Sequence, residues 1–196
     1  MKSTNQYSYA EQYEAQVTAK SLRALYFTRV GFSILWIILV ITMAKTSSAL
    51  AMVLFVLYPA WDAVATYIDI KANSALTNKS PQYINLGISI ITAIVVAVAL
   101  QSGISQTLVV FGAWASLTGL IQLILGLRRR KQFEGQWPMI ISGAQSMLAG
   151  GFIIATAHAP NQGIASLAGY SAFGAFYFAL AAIRLGKTIK SANITA

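Results

Sequence analysis

The sequence predicts an all-α integral membrane protein: a bundle of six transmembrane helices built from three tandem two-helix hairpins. Three observations carry this. The 196 residues are 57% hydrophobic and only 10% charged, where a soluble domain carries about 25%. The apolar residues gather in six runs, each near the ~20 residues that cross a hydrocarbon core as a helix. Residues also recur at a 56-residue period: Gly31, Gly87 and Gly143 near the starts of the odd runs, and Tyr58, Trp114 and Tyr170 in the even ones.

Residues 1–25 read as a cytoplasmic segment. Ser8 and Glu11 have capping-box spacing, and Tyr9, Tyr13 and Val17 share a helical face. This predicts a short amphipathic helix over 8–24 resting on the headgroups. The six runs follow at 26–44, 49–70, 83–101, 107–127, 137–157 and 164–185. They form hairpins 26–70, 83–127 and 137–185 within a membrane domain of 26–190, with a tail at 191–196. The first run lies too far along the chain, and behind too many acidic residues, to read as a signal peptide.

Charge sets the expected orientation. Of the fourteen Lys and Arg, thirteen fall on one side of the hairpins, and only Lys45 falls on the other. Cytoplasmic loops collect basic residues, so both termini are expected in the cytoplasm. The net charge of +9 then belongs to short connectors and gives no surface for nucleic acid. Within that pattern, Arg128, Arg129, Arg130 and Lys131 read as a cluster that holds topology or meets anionic lipid. Tyr83 and Trp137 read as interfacial anchors and Arg184 as a snorkelling cation.

Each copy of the repeat starts on the same side, so the repeats are parallel. The even helices share Tyr58-x-Ala60-x-x-Ala63, Trp114-x-Ser116-x-x-Gly119 and Tyr170-x-Ala172-x-x-Ala175. Small residues let helices approach closely in lipid. Gly31, Gly87, Gly143, Ala63, Gly119 and Ala175 are therefore expected as packing positions. Two odd helices add a serine, Ser33 and Ser89; the third has Gln145 there and Ser146 one place later. Rows at fours (Ser142, Ser146, Gly150; Ser171, Ala175, Ala179) point to further close contacts, within the chain or between subunits.

Chemistry is sparse. The chain has no cysteine, which excludes disulfides and thiolate metal sites. His158 is the only histidine; it reads as a solvated loop residue, with outer-face acid sensing as the alternative. No acidic and His cluster has ligand spacing, so neither metal nor cofactor is expected. No nucleophile with its base and no phosphate loop is visible, so no enzyme is expected. The informative residue is Asp62, because an ionisable group inside a bilayer is a functional hypothesis by default. Tyr58, Asp62, Thr66 and Asp69 share one helical face beside Pro59, which makes them a candidate proton or cation path. The structural alternative is a neutral Asp62 bonded to a neighbouring Ser, Thr or Tyr, with Asp69 paired to Arg29. The period places Thr118 and Gly174 where Asp62 stands, so the acid occurs once.

Residues 107–187 resemble the HdeD family of small bacterial membrane proteins. The resemblance rests on Phe111-Gly112-Ala113-Trp114-Ala115-Ser116-Leu117-Thr118-Gly119-Leu120-Ile121-Gln122, Arg128-Arg129-Arg130, Gly135-Gln136-Trp137-Pro138-Met139-Ile140-Ile141-Ser142-Gly143 and Ala181-Ala182-Ile183-Arg184-Leu185. It implies short repeats of paired helices in a bacterial inner (plasma) membrane and a role in acid or general stress tolerance without enzymatic activity. Asp62 and the long N-terminal region depart from that pattern. The residues themselves leave two other readings: a small proton- or cation-conducting transporter or channel, and an assembly subunit of a larger membrane complex. The expected partners are the lipid bilayer and a homo-oligomer or larger complex.

Overall fold

The computed structural model describes residues 2–44, 46–72, 79–131 and 136–194, with side-chain surroundings for residue 13 and for described positions 16–186. It has six helices: α1 (Lys2–Met43), α2 (Ser48–Ala72), α3 (Ser80–Ala99), α4 (Ile104–Arg129), α5 (Trp137–Thr156) and α6 (Leu167–Ile194), the last entered through a 3₁₀ turn at Ile164–Ser166. Among the described residues there is no strand. Each helix contains a stretch long and apolar enough to cross a membrane.

Local sequence explains the ends. Pro81 and Pro138 stand in the first turns of α3 and α5, where a missing N–H leaves no bond unmade. Gly103 turns the chain between α3 and α4 at φ 114°, a left-handed conformation open to glycine. Pro59 lies inside α2 and removes one backbone donor there. In the turn before it, the indole of Trp36 donates to the carbonyl of Leu54 at 2.9 Å.

The short helix expected over 8–24 is not a separate element. It forms the opening turns of α1, which runs unbroken from Lys2 to Met43. No glycine or proline occurs between residues 2 and 30, and helix propagation has nothing to stop it. The side chains of Ser8, Tyr9 and Glu11 lie outside the described set. Tyr13 and Val17 are exposed. Docking begins at Ala19, which joins Leu22, Tyr26, Met139, Ala181, Ala182 and Leu185 in one apolar cluster.

Each helix packs on its neighbours in the chain, and α1 closes on α6, so the six form a ring. The broad interfaces are α4·α5, α1·α6 and α2·α3; the pairs α1·α2, α3·α4 and α5·α6 share narrower ones. Broad and narrow contacts therefore alternate around the ring.

The tightest approach is α4 on α5. Gly112, Gly119 and Gly126 recur at sevens on α4, and Gly143 and Gly150 answer them on α5. A Cβ on Gly119 would sit 2.8 Å from the Gly143 carbonyl, and one on Gly143 would sit 2.6 Å from the Leu123 nitrogen. Backbone meets backbone there, as small-residue helix pairs in lipid do. Ala63 and Ala175 are also buried. Gly31 and Gly87 are different: a Cβ on either would meet nothing within 4 Å. Those two glycines keep the sequence period without being places of close approach.

The interior divides at the level of the period's aromatic residues. On one side, Trp36, Val40, Leu54, Phe55, Val96, Leu108, Phe111 and Leu167 make an apolar core. On the other side polar residues of α1 to α5 face inward around a cavity, beside the apolar cluster of Leu22, Tyr26, Met139, Ala181, Ala182 and Leu185. Outward, the helices present large apolar side chains such as Leu148 (77% exposed) and Phe152 (69%).

Candidate functional site

The period's three aromatics converge inside the ring. Tyr58 lies 5.9 Å from Trp114 and 6.4 Å from Tyr170 between ring centroids, and Phe111 contacts Tyr58, Trp114 and Tyr170 at 5.0–6.0 Å. The repeat serines hold two of them. Trp114 Nε1 donates to Ser89 Oγ at 3.0 Å. Tyr170 OH and Ser146 Oγ are 2.9 Å apart; Ser146 gives its own proton to the Ala115 carbonyl at 3.0 Å, so Tyr170 donates to Ser146. The serine displaced by one residue in the third copy thus makes the bond to its aromatic that Ser89 makes to Trp114.

Below this cluster lies a cavity of about 130 Å³ lined by residues of all six helices. All four residues of the candidate path, Tyr58, Asp62, Thr66 and Asp69, line it. Spacings of 4, 4 and 3 along α2 turn one face inward. The inward face of α4 repeats that spacing from Trp114 through Thr118 and Gln122, and all three line the cavity. Thr118 and Gly174, the counterparts of Asp62 in the other copies, line it as well.

Asp62 is the centre of a four-helix network. Arg29 Nη1 of α1 bonds Asp62 Oδ1 at 2.7 Å. From α3, Asn85 Nδ2 and Ser89 Oγ donate to Asp62 Oδ2 at 2.9 and 2.8 Å. Asn85 also donates to Thr66 Oγ1 at 2.8 Å, and Ser89 accepts from Trp114 of α4. Arg29 further stands over the Phe178 ring of α6 at 5.1 Å. Asp62 thus gathers three side-chain partners, a neighbouring serine among them.

The Asp69–Arg29 pair of the structural alternative is not the one formed. Asp69 Oδ2 meets Arg129 Nη2 at 2.6 Å, and Arg129 Nη1 donates to Tyr26 OH at 3.3 Å. Seven residues of helix separate Asp62 from Asp69 by about 10 Å, so Arg29 serves the nearer acid and Arg129 reaches the other from the end of α4. This corrects the reading of the basic cluster. Arg128, Arg130 and Lys131 are exposed, with Arg130 over the Trp137 ring at 5.7 Å. Arg129 is 4% exposed and turned inward. Successive helical residues point about 100° apart, so a run of four cannot all face lipid or water.

The cavity's charged lining residues are thus two matched pairs. Removing one member of such a buried pair costs about 3–5 kcal/mol, because the other charge is left without a partner. Sequence reasoning missed Asn85, Gln82, Gln136 and the inward turn of Arg129. One signal was available for Asn85: it stands 56 residues after Arg29, so two equivalent positions donate to one acid. His158 is exposed in the turn after α5. Among the described residues no group of three or more His, Asp or Glu could hold a metal ion.

The family model described as "Short repeat of unknown function (DUF308)" matches residues 87–155. No curated protein and no solved structure matches. The matched stretch runs from Gly87 in α3 through α4 and most of α5, and so contains the glycine-packed α4·α5 pair. It shares 107–155 with the stretch on which the HdeD resemblance was recognised, and adds α3 rather than α6. Residues 87–155 are therefore similar to the DUF308 short repeat, the family to which HdeD belongs.

Proposed function

We propose that this chain is a non-enzymatic, multi-pass membrane protein of the HdeD-like type, serving acid or general stress tolerance in a bacterial inner (plasma) membrane. The observation that carries the reading is the short-repeat match on 87–155 within a ring of six membrane-length helices. The ring's apolar outer surface suits lipid: soluble monomers rarely expose apolar patches beyond a few hundred Å². In this reading the three hairpins are parallel repeats, both termini are cytoplasmic, and the cavity opens from the half that carries Arg29 and Arg129.

Two experiments test it. The chain has no native cysteine, so single reporters are clean. A cysteine at His158 should react with an impermeant maleimide added outside cells, and one at Lys2 should react only after lysis. The reverse pattern overturns the topology. Deleting the gene should lower survival of an acid challenge, with restoration from a plasmid copy. Unchanged survival under acid and other stresses removes the proposed role.

A second reading has one observation in its favour: a polar cavity reaches Asp62, as a proton or cation conductor requires. Beyond the aromatics the interior is apolar, so conduction requires that barrier to open. Vesicles containing the protein should then show proton flux above empty vesicles, lost in Asp62→Asn. Equal flux in the two proteins excludes the role for Asp62.

A further inference from the structure

Three side chains on the cavity wall hold polar atoms that no described group satisfies. They come from three helix ends: Gln82 in the first turn of α3, Gln136 just before α5, and Arg129 at the end of α4. Gln82 is 0% exposed, Gln136 1% and Arg129 4%. Both amide atoms of each glutamine, and Arg129 Nε, have no hydrogen-bond partner among the described residues. Buried polar groups normally find partners, because leaving them without one is costly. Here five such atoms belong to three residues that line one cavity.

Their chemistry describes a guest. The two amide nitrogens and Nε donate, and the two amide oxygens accept. A complement must therefore carry both acceptors and donors. Charge narrows it further. Arg29 and Arg129 are already matched by Asp62 and Asp69 at 2.7 and 2.6 Å, so an added ion would be unbalanced in a low-dielectric interior. The cavity of about 130 Å³ limits size, and Tyr26 and Phe178 supply apolar wall.

We infer that the Gln82–Gln136–Arg129 wall is a binding site for a small uncharged solute bearing both hydrogen-bond donors and acceptors, of the primary amide or short polyol class. The inference goes beyond the stress role and beyond conduction, since it needs neither. It accounts for polar atoms that the two ion pairs leave unused.

The test is ligand-observed saturation-transfer NMR on the full chain in nanodiscs, with acetamide and glycerol as probes and acetate and methylammonium as charged controls of similar size. At least one neutral probe should bind at least ten-fold more tightly than either ion. If glycerol alone binds, the solute is a polyol; if acetamide alone binds, it is an amide. Gln82→Met and Gln136→Met, close in volume but without the amide, should each weaken binding at least ten-fold. Binding of neither neutral probe, leaving water as the only guest, overturns the inference. So does binding of acetate or methylammonium as tight as that of the neutral probes. Unchanged binding in both Met variants places the site elsewhere and also overturns it. The comparison of neutral and charged probes uses only the natural chain, so it stands if a variant fails to fold.

Discussion

The two halves of the ring are made from the same six helices and held by different forces. In α2, Leu54 and Phe55 face the apolar core, while Asp62, Thr66 and Asp69 face the cavity. In α4, Leu108 and Phe111 give way to Thr118, Gln122 and Arg129; in α1, Trp36 and Val40 stand in one half and Tyr26 and Arg29 in the other. The change falls at the level of Tyr58, Trp114 and Tyr170. For a ring placed in lipid, as proposed, hiding apolar surface gains the apolar half little, since lipid tails are as apolar as leucine; it would depend on close packing. The polar half has an apolar cluster of its own and adds matched hydrogen bonds and charges, each unforgiving of a missing partner. A single change should therefore cost most where it strands a charge, less where it disturbs packing, and least where it removes one neutral hydrogen bond.

The largest effect is expected at Arg129. Arg129→Met takes the 2.6 Å ion pair from Asp69 in a buried site and should cost about 3–5 kcal/mol of stability, read by detergent-to-SDS unfolding followed by circular dichroism. Arg129→Met with Asp69→Asn should recover more than half of that loss, because neither charge then remains. Arg130→Gln, one residue along on the exposed side, should change stability by no more than about 0.5 kcal/mol. A cost for Arg129→Met as small as that for Arg130→Gln would break the distinction between the halves.

Much of this contrast was legible in the sequence. Helix number followed from run lengths, because the hydrocarbon thickness fixes how many residues must be apolar. The inward face of α2 followed from helical spacing, and the Tyr58–Asp62–Thr66–Asp69 face does line the cavity. Partner choice did not follow. Arg129 pairs with Asp69 across 60 residues, and no local pattern states which arginine of a basic run turns inward. The 56-residue period also conveyed ancestry more reliably than contact. It brought Tyr58, Trp114 and Tyr170 together, yet Gly31 and Gly87 keep the period and touch nothing a methyl would disturb. The glycines that do pack recur at sevens, a helix-pairing period nested inside the longer one.

That difference among glycines gives the next effect. Gly143→Ala places a methyl 2.6 Å from the Leu123 nitrogen. Backbone cannot move aside as a flexible side chain can, so overpacking should cost about 1–3 kcal/mol. Gly31→Ala meets open space and should be neutral or stabilising by up to about 1 kcal/mol through helix propensity. Measured by the same unfolding assay, equal costs at the two positions would mean that α4·α5 is no tighter than the ring at large.

The smallest effect lies on the boundary, at Trp114. Its ring packs on Phe111 at 5.0 Å, a contact of the apolar half. Its N–H reaches Ser89 Oγ at 3.0 Å, and Ser89 passes the connection on to Asp62 at 2.8 Å. Trp114→Phe keeps an aromatic ring and removes the donor. Ser89 keeps its own bond to the carboxylate, so the loss should be that of one neutral hydrogen bond, about 0.5–1.5 kcal/mol. Ser89→Ala removes a donor to a charged group and should cost about 1.5–3 kcal/mol. In Trp114→Phe/Ser89→Ala the indole bond is already gone, so the two costs should fall short of adding by about the worth of that bond. Strict additivity would place Trp114 in the apolar half alone, with its N–H contributing nothing to the network around Asp62.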